Sequence, residues 1–214
     1  MLKKIFVTCL LLLHIMVFGC KRESPYEDAD NFEVTLASDG ETLKITEYLL
    51  HEMDKNVINI PPSIKGVPVT EIGYGALADR YFTHVTLPDT VVNIMDYALS
   101  GNFIREVTIP DSVTEIGNGA FQDNHLVDII IPDSVRRIGY NAFCWNPVRS
   151  VTIGENVQLD SIGGYDTDLE QEWRYIAFLN HYDVEFDDFY EAIGKKAGTY
   201  TYGNGNWDFV PRQE

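Results

Sequence analysis

Val107-Thr108-Ile109-Pro110-Asp111-Ser112-Val113-Thr114-Glu115-Ile116-Gly117-Asn118-Gly119-Ala120-Phe121 returns 22 residues later as Ile129-Ile130-Ile131-Pro132-Asp133-Ser134-Val135-Arg136-Arg137-Ile138-Gly139-Tyr140-Asn141-Ala142-Phe143. The same spacing relates Ile72, Ile94, Ile116 and Ile138, then Val85, Val107, Ile129 and Val151, then Ala76, Ala98, Ala120 and Ala142. Three series in one phase make a structural repeat. A unit of this length holds two short β-branched runs and a turn, and cannot bury its apolar side alone. Stacked units share a continuous core, so the pattern predicts a solenoid.

Alternation within each run assigns the core. The first run turns Val85 and Leu87, Val107 and Ile109, Ile129 and Ile131, and Val151 and Ile153 inward. Pro88, Pro110 and Pro132 close it, since proline gives no donor to a ladder, and Gly154 stands in their place in the last unit. The second run buries Val91 with Ile94, Val113 with Ile116, and Val135 with Ile138. Ala-Leu or Ala-Phe pairs follow, ending in Leu77, Leu99, Phe121 and Phe143, and are expected as short helical turns. Asn102, Asn124 and Asn146 recur at one corner, where an amide side chain can bond backbone groups.

Working outward, Phe32 to Val67 reads as a degenerate first coil. Val34-Thr35-Leu36 runs through Ser38-Asp39-Gly40 into Leu43-Lys44-Ile45, a hairpin pattern. Beyond Val157 the period is lost, and residues 155–191 carry eleven acidic residues against Arg174. There Phe186–Ile193 is expected as a short helix. Gly198-Thr199-Tyr200-Thr201-Tyr202 and Trp207-Asp208-Phe209 are expected as a hairpin. Solenoids need ends that shield the core, and these segments are the candidate caps.

The N-terminus has another character. Lys3 and Lys4 precede an apolar run from Ile5 to Phe18, shorter than the roughly 20 residues a spanning helix needs, which is the pattern of a secretory signal. Its end, Val17-Phe18-Gly19-Cys20, resembles the lipobox of bacterial lipoproteins. That resemblance implies cleavage before Cys20 and acylation of its sulfur, with a membrane anchor through the N-terminal lipid. Loss of Lys3 and Lys4 with the signal takes the net charge from −17 to −19. So acidic a chain is a poor ligand for nucleic acid or an anionic lipid surface. Cys9 leaves with the signal, so Cys144 remains a lone thiol and the fold rests on its core rather than on a disulfide.

The outward positions of the first run form two columns. His84, Glu106, Asp128 and Ser150 make one; Thr86, Thr108, Ile130 and Thr152 make the other. Strands lie about 4.8 Å apart, so column neighbours can touch. Carboxylates on an open sheet without a pocket make a poor acid–base pair, so these eight residues read as a binding face. On the second run Thr70, Glu71, Val92, Asn93, Thr114, Glu115, Arg136 and Arg137 are expected outward, the arginines pairing with Glu115. Asp166, Asp168 and Glu170 open like a calcium loop. Gln171 and Ala177 then stand where an EF-hand needs Gly and a bidentate Glu. Cys144 has no His or Asn partner by spacing. No catalytic residue, metal site or cofactor is expected.

The Val-Thr-Ile-Pro-Asp-Ser-Val-Thr-Glu-Ile-Gly-x-x-Ala-Phe pattern resembles the BspA-type leucine-rich repeats of bacterial surface proteins. Gly194-Lys195-Lys196-Ala197-Gly198-Thr199-Tyr200-Thr201-Tyr202 resembles the tail of lipoprotein members. The resemblance runs from about Phe32 to Phe209; members usually carry Cys where Asn102, Asn124 and Asn146 stand. It implies a non-enzymatic adhesion or protein-binding module, lipid-anchored in the cell envelope at the outer membrane or cell surface, with host matrix or bacterial surface proteins as partners. The alternative is a periplasm-facing scaffold for another envelope protein. The expected organisation is a signal over residues 1–19, a lipid-anchored tether over 20–31 and an N-terminal cap over 32–68. Leucine-rich repeats follow over 69–157, and a C-terminal cap over 158–214.

Overall fold

A computed structural model describes residues 24–50, 56–160, 162–166, 171–175, 186–204 and 206–212. The signal, Cys20 and the first residues of the tether lie outside the described residues, as do Asp168, Glu170 and Ala177 of the calcium-like loop. The chain is a mainly β solenoid.

Strands line two sides of it, and a separate hairpin pairs Ile162–Asp166 with Gln171–Tyr175. The second runs make a sheet on one side: Val67–Ile72, Asn93–Ile94, Glu115–Ile116, Arg137–Ile138 and Gln158–Leu159 pair in parallel. The N-terminal hairpin, Phe32–Leu36 with Leu43–Tyr48, closes this sheet through Leu43–Tyr48. The first runs make the other side, as two separate sheets interrupted at Val107–Ile109. Val57–Asn59 pairs with His84–Thr86, and Asp128–Ile130 pairs with Ser150–Ile153, again in parallel. The C-terminal hairpin, Gly198–Gly203 with Asn206–Pro211, closes this second sheet by lying antiparallel on Ser150–Ile153. Each end is therefore shielded on a different sheet.

The Ala-Leu and Ala-Phe segments are hydrogen-bonded turns rather than helix. Gly75, Tyr97, Gly119 and Asn141 occupy the same place in successive coils, all with φ between 57° and 59°. A left-handed residue there ends any helical run after one turn. The turns are nonetheless a third ladder: Leu77, Leu99 and Phe121 donate their N–H to the carbonyls of Ala98, Ala120 and Ala142 at 2.8–2.9 Å.

The core follows the period-two assignment closely. Every inward residue named above is buried except Val107, which is half-buried. Phe121 and Phe143 stack with centroids 5.2 Å apart. At the corner Asn124 is 2% exposed; its Oδ1 accepts from Ile104 N–H, and its Nδ2 donates to the Leu99 and Phe121 carbonyls. Asn102 and Asn146 repeat this bracing one coil to either side.

The stretch expected as a free tether is docked from Pro25 onward. Asn59 Nδ2 donates to the Pro25 carbonyl at 2.7 Å, and Glu27 N–H to the Asn59 carbonyl at 2.8 Å. These polar residues find backbone partners on the unpaired side of Val57–Asn59, which composition alone does not reveal.

Candidate binding face

The eight residues assigned to the strand face lie along the first-run side, six of them on strands and Glu106 and Thr108 outside any strand. His84, Thr86, Glu106, Thr108, Asp128 and Ile130 are exposed, Ile130 at 66%. Ladder register sets Asp128 beside Ser150 and Ile130 beside Thr152. His84 meets Glu106 across a single bridge, Nε2 to Oε1 at 3.7 Å, with both side chains more than half exposed. A contact so open to water contributes under about 1 kcal/mol. His84 Nδ1 also lies 3.0 Å from Thr83 Oγ1, and Thr86 Oγ1 donates to Asn59 Oδ1 at 2.7 Å.

Two features depart from a regular face. Val107–Ile109 takes no part in a ladder, although it carries the repeat's clearest strand sequence. The coils are pinned just before it, where Phe103 N–H donates to the Phe82 carbonyl and His125 N–H to the Ile104 carbonyl. Past Glu106 the chain separates from its neighbours. A groove of about 710 Å³ opens there, lined by His84, Thr86, Arg105, Glu106, Thr108, Asp128 and Ile130. Ser150 and Thr152, in contrast, are half-covered, because the C-terminal hairpin lies beside them. Thr152 and Thr199 hydroxyls stand 3.0 Å apart, and Ser150 faces Thr201.

The hairpin also prolongs the face. Thr201 pairs with Asp208 and Thr199 with Val210, which is 62% exposed. At the other end Val57 and Asn59 stand beside His84 and Thr86. Sequence reading missed these additions, because they lie outside the 22-residue phase. The alternation of Thr199-Tyr200-Thr201-Tyr202 signals a strand but not where it docks.

On the second-run sheet Glu71 is a correction. Expected outward, it is 3% exposed, its Oε1 accepting from Ser38 N–H at 3.1 Å. The N-terminal hairpin folds over the end of that sheet and covers it. Arg137 pairs with Glu115, as expected, and with Asp160 at 2.5 Å. The Asp160 hydrogen bond, ahead of that from Glu115, raises the guanidinium pKa against its partial burial. Arg136 instead donates to the Asp133 carbonyl at 2.6 Å. Cys144 is buried, with Asn141 Oδ1 3.2 Å from its sulfur. Among the described residues no group of three or more His, Cys, Asp or Glu side chains is arranged to hold a metal ion.

Residues 70–165 match the family model described as BspA type Leucine rich repeat region, in six copies. These repeats belong to the BspA-type leucine-rich repeat family. Repeats of this type generally mediate protein interactions and are generally non-catalytic. Solved structures similar to the chain include a leucine rich repeat protein of T. pallidum, at 23% identity over 60% of this chain and 71% of that one, with TM-score 0.47. Another comes from Bacteroides capillosus, at 25% identity over 60% of this chain and 97% of that one, with TM-score 0.48. A third comes from Eubacterium ventriosum, at 22% identity over 60% of this chain and 37% of that one, with TM-score 0.46. Among curated proteins none matches the chain.

Proposed function

We propose that this chain is a cell-envelope lipoprotein, anchored by lipid on Cys20, whose BspA-type repeats bind a protein through the first-run face. Its role on this reading is adhesion toward host matrix proteins or other cells. The observation that carries the binding surface is Ile130: an isoleucine 66% exposed beside a groove, on a row otherwise built of threonine. A large apolar side chain left open among hydroxyls has nothing to gain in the free protein, and gains burial when a partner covers it. The lipid anchor is supported by the apolar run ending in Gly19-Cys20. A face of a few strands is small, so attachment would draw on many copies displayed together.

Protease shaving of intact cells tests the location, with blotting for this protein and for a periplasmic control. Loss of the protein with the control intact is the expected result. Protection until the envelope is broken would replace adhesion by a periplasm-facing scaffold for another envelope protein. Ile130→Lys tests the face: attachment of cells to a matrix-protein surface should fall at least about tenfold, as for a central hot-spot residue, with the folded state unchanged. Unchanged attachment would remove Ile130 and its row from the site.

A further inference from the structure

We propose that the cleft between the last coil and the C-terminal hairpin binds a small sugar acid, one carboxylate on a hydroxylated ring, at a site separate from the protein-binding face. The cleft exists because the repeat breaks there. Pro88-Asp89-Thr90, Pro110-Asp111-Ser112 and Pro132-Asp133-Ser134 give way to Gly154-Glu155-Asn156 at the same phase. A Cβ added at Gly154 would stand 3.1 Å from Asp133 Oδ1, so the loss of proline lets that carboxylate settle over the turn. Asn156 takes a left-handed φ of 56°, and its N–H donates to the Lys195 carbonyl at 3.1 Å, which docks the hairpin. Between turn and hairpin lies a cavity of about 690 Å³, walled by Asp133, Arg136, Asn156, Lys196, Phe209 and Arg212 among others. That volume suits a small ligand, whose clefts measure roughly 300–1,000 Å³.

Arg136, Lys196 and Arg212 gather here in a chain with 16 Lys and Arg against 33 Asp and Glu. One residue orients both guanidinium groups. Arg212 Nη1 donates to the two carboxylate oxygens of Asp133 at 2.7 and 2.5 Å, and Arg136 Nη1 donates to the Asp133 carbonyl at 2.6 Å. Among the described residues each arginine thus engages through a single nitrogen, leaving Nε and Nη2 as further donors. Against the three cations the cleft sets two carboxylates, Asp133 and Glu155, so one positive charge is left over. A single carboxylate balances it, and preoriented guanidinium groups hold carboxylates in charge-assisted hydrogen bonds. The other walls suit a hydroxylated ring. Phe209 and Pro211 offer apolar surface to its C–H groups, while the Asn156 amide and the Glu155 carboxylate offer a donor and acceptors to its hydroxyls. A polyanion would carry its further charges into the field of a chain of net charge −17, which favours a ligand with one.

The test titrates the full chain with glucuronate, glucose, acetate and a glutamate hexapeptide, reading binding by saturation-transfer NMR. Glucuronate should bind tightest. Glucose lacks the carboxylate and acetate lacks the ring, so each should bind at least about tenfold more weakly, the equivalent of one charge-assisted hydrogen bond. Arg136→Gln and Lys196→Gln should each weaken glucuronate by about tenfold, and Arg105→Gln, on the first-run groove, should leave it unchanged. Equal losses from all three variants would mean diffuse attraction and overturn the proposal, as would equal binding of glucuronate and either of its halves. Tighter binding of the glutamate hexapeptide would make the cleft an acidic-peptide site and overturn the sugar acid. The two readings fail separately, because Ile130 lies outside this cleft. If glucuronate does not bind while Ile130→Lys still abolishes attachment, the sugar-acid site falls and the protein-binding reading stands.

Discussion

At the scale of single residues, the corner asparagines show most clearly how one side chain holds two coils. Asn124 satisfies an N–H of its own coil's incoming strand and carbonyls of two successive turns, all buried. Alanine in its place would orphan those backbone groups, each costing about 1–3 kcal/mol. Asn124→Ala should therefore lower the unfolding free energy by about 3 kcal/mol or more in a urea titration; a loss under about 1 kcal/mol would mean water replaces the amide. Gly119 carries the opposite constraint. Its φ of 59° is left-handed, and an added Cβ would lie 2.6 Å from the Tyr97 ring. Gly119→Ala should cost about 1–3 kcal/mol by the same titration, through backbone strain and displacement of that ring. A neutral result would show that the turn can rotate out of the left-handed region.

At the scale of elements, the C-terminal hairpin is the part whose position matters most. It seals Ser150–Ile153, which would otherwise present an unpaired edge, and it does so with an aromatic underside. The helix Phe186–Ala192 supplies Phe186 and Tyr190, which pack on Tyr200 at 5.1 and 5.7 Å. Tyr190 Oη donates to the Gly154 carbonyl at 2.7 Å, and Tyr200 Oη to the Lys196 carbonyl at 2.6 Å. Burial, the leading cause for both phenols, raises their pKa above the ordinary tyrosine value. Raised folded-state values mean a contribution fully present below about pH 10, the unfolded value, and lost as the pH climbs toward the folded ones. An alkaline titration of tyrosinate absorbance should thus show a late step accompanied by loss of β circular dichroism. Tyr200→Phe should diminish that step. Titration of every tyrosine together near pH 10, with the fold intact, would contradict the buried packing.

At the scale of the molecule, stability is a chain of nearest-neighbour contacts, because each coil touches chiefly the ones beside it. Phe121 is fully buried in the middle of that chain and stacked on Phe143. Phe121→Ala should cost about 3–5 kcal/mol, as for other deleted core rings. It should also uncouple the two ends, so that hydrogen exchange reports different stabilities for the coils before and after it. A single cooperative transition with an unchanged midpoint would count against the stacked core.

The 22-residue phase determined the coils, and period two within it determined which side chains face inward, because both depend on local geometry repeated in register. The strand-face columns were legible for the same reason, and so was the Asn corner. A column of Tyr81, Phe103 and His125 has the same spacing, but its residue types vary from coil to coil and mask it. Tertiary structure decided the rest. The opening at Val107–Ile109 depends on how neighbouring coils diverge after a shared pin, which no single repeat encodes. Burial of Glu71 and partial covering of Ser150 and Thr152 depend on where two hairpins dock, and each hairpin's sequence specifies its own pairing but not the edge it completes.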